Sequence, residues 1–216
     1  MFAGGMFGSS AADLWGRLLR LEQVQKDLQL ADDQKAKLKE IGEKAWERMR
    51  QGLADMKGFR DMNEDERKAA MTKVGDKARA QAEQLRKEIE GVLTPQQVER
   101  VKQLVLQIRG VAALDDKEVQ EALGITAEQK EKFKAIRDEI AEKARGLWGG
   151  EAGDRQERLQ AFQKTWQQSQ ERTMAVLSQE QRETFDKMKG PKPDFDLPAA
   201  MRQGMRRGGG QPKQGR

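Results

Sequence analysis

The sequence predicts an all-α protein, an elongated bundle of long amphipathic helical hairpins. Three observations carry that reading. Ala, Glu, Lys, Leu and Arg make up 104 of the 216 residues, the composition of long helices. Apolar residues recur at spacings of three and four, one face of a helix. A short capping string stands in front of several of these runs. Leu, Ile, Val and Phe total only 40, under a fifth of the chain, yet the net charge is just +5. Disorder on compositional grounds needs a high net charge as well as few apolar residues, so the pattern implies slender helices with limited burial.

Taken in order, residues 1–10 are Gly-rich and read as a flexible start. Ser10 and Asp13 can cap a first helix whose stripe is Leu14, Leu18, Leu21, Val24 and Leu28. A second helix is expected from Asp32 to Lys57 with Leu38, Ile41, Ala45, Met49, Leu53 and Met56 on one face. Asn63 and Glu66 form a capping box for a third helix bearing Ala70, Val74, Ala78, Leu85 and Ile89. In "LTPQQ", Thr94 is the N-cap, Pro95 sits at the first helical position and Gln97 at the third, which opens a fourth helix. Asp115 with Glu118 should cap a short helix, Thr126 with Gln129 a long one, Asp154 with Glu157 its return, and Ser178 with Gln181 a last short helix. In the first such string Ala31 takes the cap position, and Asp32 is the alternative cap.

The order of elements repeats. Shifted by 95, Val24, Gln25, Leu28, Gln34, Lys35, Lys37, Lys39 and Ile41 meet identical residues at Val119, Gln120, Leu123, Gln129, Lys130, Lys132, Lys134 and Ile136. The later strings are offset by 84, so the second unit is eleven residues shorter between its signatures. Placing five of these in each long helix predicts hairpins that differ in reach by about 8 Å at 1.5 Å per residue. The expected domains are 11–113 and 114–189, followed by a disordered basic tail, 190–216, rich in Pro, Gly and Arg.

Cys, His and Tyr are absent. That excludes disulfides, Cys- or His-built metal sites and Ser-His-Asp catalysis. No phosphate-cradling Gly-x-x-x-x-Gly-Lys string is present, so the chain is not expected to be an enzyme, and it calls for no cofactor, metal or small-molecule substrate. No run of 18 apolar residues exists, so no membrane span is expected. "MFAGGMFGSS" lacks the features of a signal peptide. The tail alone carries +4, leaving the body near neutral and without a basic stripe.

The recurring string resembles the Leu-Thr-x-x-Gln (LTxxQ) signature of the Spy/CpxP family of periplasmic proteins. Leu93, Thr94 and Gln97 match it fully. Ile125, Thr126 and Gln129, and Leu177, Ser178 and Gln181, match with conservative changes, whereas Leu30 and Gln34 match around Ala31. The resemblance covers roughly residues 20–189. It implies two such units in tandem, a pseudo-dimer within one chain with further self-association open, located in the periplasm. It also implies stress-response function as a chaperone that binds unfolded or damaged proteins without ATP. The family's metal-binding branch relies on His, which this chain lacks.

A client surface needs exposed apolar groups ringed by charge, and flexible Met suits promiscuous contact. Trp46, Met49, Leu53, Met56, Phe59 and Met62 have this character, as do Leu147 and Trp148. The competing reading is ordinary core, since apolar helical stripes usually face one. Trp46 and Trp148, each about one position off its stripe, are the better candidates. Two alternative functions follow from the same residues: a structural or regulatory adaptor for one fixed partner, and nucleic-acid binding through Arg206, Arg207 and the glycines beside them.

Overall fold

The computed structural model describes residues 11–54, 62–149 and 154–208. Among them are ten α-helices, one 3-10 segment and no strand. The all-α expectation therefore holds. None of these helices is long and apolar enough to cross a membrane. The chain divides into two units, one built from residues up to Ile108 together with those from Pro191 onward, the other from Arg109–Gly190.

The first unit opens with α1 (Ala11–Leu18) and α2 (Glu22–Asp27). The sequence stripe made these one helix. Its five residues are all buried, but the helix breaks at residues 19–21, where the Gln25 side-chain amide donates to the freed carbonyl of Leu19 at 2.7 Å. Trp15 and Leu19 are buried as well, so the segment presents apolar groups on more faces than a straight helix can bury at once. Then come α3 (Asp32–Ala54), α4 (Glu64–Glu90) and α5 (Pro95–Arg109). The Asn63–Glu66 capping box of α4 is made in both directions at 2.9 Å. Leu18, Val24, Val101 and Leu104 are fully buried in the core of this unit, and the Arg86 guanidinium lies 5.5 Å above the Trp15 ring.

The tail expectation is overturned for its described part. Residues Leu197–Gly208 form a helix, α10, and Leu197, Ala200 and Met201 are buried in the core of the first unit. Asp196 caps it through the Ala199 amide at 2.9 Å. The approach is fixed by Arg100 and Gln107, which both donate to the Pro191 carbonyl, at 2.7 and 3.0 Å. Burial of three apolar groups spaced as one helical face outweighs the local Gly and Pro content. Residues 209–216 and 1–10 lie outside the described residues.

The second unit contains the 3-10 segment Gly110–Asp115, α6 (Lys117–Ala122), α7 (Ala127–Gly149), α8 (Arg155–Val176) and α9 (Gln179–Met188). The expected Asp115–Glu118 capping box is not the one formed. Asp116 is the N-cap residue and makes no side-chain cap, because Asp115 pairs with Arg137 and Asp116 with Arg109. Asp154 caps α8 through the Gln156 amide, and Ser178 with Gln181 completes a box before α9. Phe133, Ile136, Leu177 and Phe185 are buried, and Phe162 stacks on Trp166 at 6.5 Å.

α4 is five residues longer than α8, at 27 against 22, as expected for the returning helix of each hairpin. α3 and α7 each run for 23 described residues and end against residues outside the described ones.

Candidate functional site

Two features stand out: a glutamine clasp, present once in each unit, and an apolar groove on the first unit.

The clasp is built from the motif glutamines. Gln97 sits at the third position of α5, where its Oε1 accepts the Thr94 amide at 2.9 Å while Thr94 Oγ1 accepts the Gln97 amide at 3.3 Å. That is the capping box read from the sequence. Its Nε2 does something more: it donates to the Leu28 carbonyl at 3.1 Å and to Gln34 Oε1 at 3.2 Å. Gln34, at the start of α3, reciprocates. Its Nε2 donates to the Val92 carbonyl at 3.0 Å and to Gln97 Oε1 at 2.8 Å, and its Oε1 accepts the Ala31 amide at 3.1 Å. Ala31 has no side-chain oxygen, so half of a capping box survives there. Asp32, the alternative cap, pairs with Lys35 instead at 2.9 Å, which holds its carboxyl below the usual carboxylate range.

The second unit repeats the arrangement bond for bond. Gln129 donates to Val176 at 3.0 Å and Gln181 at 2.7 Å; Gln181 donates to Leu123 and Gln129, both at 3.1 Å; the Thr126 and Ser178 amides are accepted at 3.0 and 2.9 Å. The lead-in repeats too. Leu30 donates to Gln25 and Ile125 to Gln120, closing matching helix ends whose left-handed residues are Gln29 (φ 50°) and Gly124 (φ 60°). Leu30, Leu93, Ile125 and Leu177, the apolar motif positions, are all buried, whereas Thr94, Thr126 and Ser178 are exposed. The motif residues thus tie four helix starts into two pairs. Sequence reasoning found each box but missed the cross-pairing.

The groove, about 660 Å³, runs between α1, α3 and α4. Leu19, Leu38, Ile41, Leu85 and Ile89 floor it, and Trp46 stands at its rim, 54 % exposed. Beside Gly42 the Arg20 guanidinium lies 3.4 Å from where a Cβ would stand, an ordinary contact. Arg20, Lys35, Lys39 and Arg50 line it against Glu43 and Glu47, and of these cations only Lys35 has an acidic partner among the described residues. Met49 follows on the same helix, 42 % exposed. Met62 and Leu147 are half-buried. Met56 and Phe59 lie outside the described residues, as do the side chains of Leu53 and Trp148. Trp46 and Met49 therefore gather at one place, while Leu147 belongs to the other unit. Among the described residues no cluster of acidic side chains is arranged to hold a metal ion.

Residues 20–100 match a family described as a domain of unknown function (DUF4890). The matched segment runs from just after α1 into α5 and so includes both halves of the first clasp, Gln34 and Gln97, and most of the groove. No curated protein and no solved structure matches the chain.

Proposed function

We propose that the protein is an ATP-independent chaperone of the periplasm that holds unfolded or stress-damaged chains along the groove of its first unit. One observation carries the reading: an apolar floor ends at a tryptophan more than half exposed, beside cations that lack acidic partners among the described residues. Such a surface gives affinity without a sequence code. Apolar contact supplies the binding, and Arg20, Lys39 and Arg50, which have no acidic partner among the described residues, draw in acidic chains. The periplasmic location rests on the resemblance of the glutamine motif. The clasps serve the role indirectly, by anchoring the long helices at one end so that their other ends need not be buried.

The test is suppression of aggregation. The protein, mixed in several-fold excess with a thermally aggregating client and no nucleotide, is expected to lower light scattering. Trp46→Ser is expected to lose most of that effect with an unchanged helical spectrum. Scattering equal to the client alone, or a variant as effective as the parent, would reject the reading.

A further inference from the structure

The groove of the first unit constrains both the shape and the charge of what it can hold. Its walls offer side chains only. Lys35 to Arg50 lie inside α3, Leu85 and Ile89 inside α4, and the Leu19 carbonyl just past α1 already accepts the Gln25 side-chain amide at 2.7 Å. No strand edge stands among the described residues. An extended segment laid on the floor of Leu19, Leu38, Ile41, Leu85 and Ile89 would lose the water on its own N–H and C=O groups and find no backbone partner, at about 1–3 kcal/mol for each group left so. A helix closes those bonds within itself and brings only side chains to the contact. The first unit already seats one helix in this manner, α10, through Leu197, Ala200 and Met201.

The charges along the lip select among helices. At about 100° per residue, Lys35, Lys39, Trp46 and Arg50 fall within one arc of α3 about 60° wide, on the side of Gly42. Glu43 and Glu47 follow farther round, toward solvent, and both are exposed. Arg20 faces this lip from the α1 side, its guanidinium beside Gly42. Lys35 pairs with Asp32, whereas Arg20, Lys39 and Arg50 have no acidic partner among the described residues. An occupant resting on the floor therefore meets cations before it meets carboxylates. We infer, resting on this groove being the client site, that its preferred occupant is an acidic amphipathic helix: an apolar stripe at spacings of three and four against the floor, with Glu or Asp along its flanks. The α3 lining from Lys35 to Arg50 is roughly 24 Å long at 1.5 Å per residue, enough for about four turns of the occupant. A basic helix of the same shape would set like charges against Arg20, Lys39 and Arg50.

Fluorescence anisotropy of labelled peptides, titrated with the full chain, tests this. Three peptides of about sixteen residues are compared, the length of the α3 lining. One has a Leu stripe flanked by Glu, the second has Lys for each Glu, and the third has the first composition shuffled so that no stripe remains. The first is expected to bind at least about tenfold more tightly than the other two and to gain helical circular dichroism on binding. Arg20→Glu with Lys39→Glu and Arg50→Glu changes three exposed side chains, so the protein's own helicity should hold while the preference passes to the Lys peptide. Equal binding of the striped and shuffled peptides, binding without a gain of helix, or a preference that the triple variant leaves unmoved overturns the inference. So does a chain that sediments at twice its 24.5 kDa mass and takes no peptide until diluted to the protomer, which would give the groove to a second copy. A chain that suppresses client scattering yet shows no peptide preference keeps the chaperone reading and loses the helix. One that binds the acidic helix with the expected charge dependence, yet leaves scattering unchanged, keeps the helix and loses the chaperone.

Discussion

Gln97 does two jobs that different side chains could share out differently. As a cap it needs only an acceptor for the Thr94 amide, and Glu serves there as well as Gln. As half of the clasp it must also donate, to the Leu28 carbonyl and to Gln34 Oε1. A carboxylate cannot, and it would place negative charge against the Gln34 oxygen. Gln97→Glu is therefore expected to destabilise the first unit by about 1–3 kcal/mol, the range for a buried polar group left unsatisfied, measured by denaturant unfolding. A purely local cap predicts no change. The residue scale also shows where sequence reading stopped. The boxes at Asn63, Thr94, Thr126 and Ser178 were legible because the partners stand three apart. The clasp was not, because its halves stand 63 residues apart in one unit and 52 in the other. The signal available was the choice itself: Gln and never Glu at all four motif positions, although capping tolerates either.

At the scale of elements, the helices were legible wherever periodicity and caps agreed, as for α4, α5, α7 and α9. The break between α1 and α2 was not, because it rests on a side chain answering a carbonyl six residues away. Between α7 and α8, Glu139 joins the two helices: Lys143 on its own helix and Arg172 on the other hydrogen-bond it at 2.8 and 2.6 Å and hold its carboxyl below the ordinary value of 4.5. A depressed folded-state value means that the pair contributes stability above the unfolded value and loses it as pH falls through the folded one. Arg172→Met is expected to melt slightly below the parent near neutral pH. That gap should close once the solution is acidified below the usual carboxylate range. Parallel thermal melts across pH test this, and a gap that persists in acid would mean that the loss comes from packing of the Arg172 stem.

At the scale of the whole molecule, the chain leaves the first unit at Ile108 and returns to it at Pro191. The first unit is thus discontinuous in sequence, and its last piece is the helix that composition hid. The signal was Leu197, Ala200 and Met201, spaced three and one, too short a stripe to weigh against the surrounding Pro, Gly and Arg. Gly204 records how tightly that helix sits: a Cβ there would stand 2.7 Å from Leu21 Cδ2. A chain ended at Gly190 should therefore uncover the side of the core that α10 seals. Each fully buried Leu or Met side chain contributes about 1.5–3 kcal/mol, so the loss is expected to reach several kcal/mol and to fall on one unit only. Amide hydrogen exchange resolved by peptide is the direct measure. Protection should drop through residues 14–28 and 98–105, which share the core with α10, and persist through 119–136 and 177–185, which share the other. An unstructured tail predicts equal protection everywhere with or without it. A uniform fall in both units would mean instead that the molecule unfolds as one cooperative block, with α10 closing the whole of it.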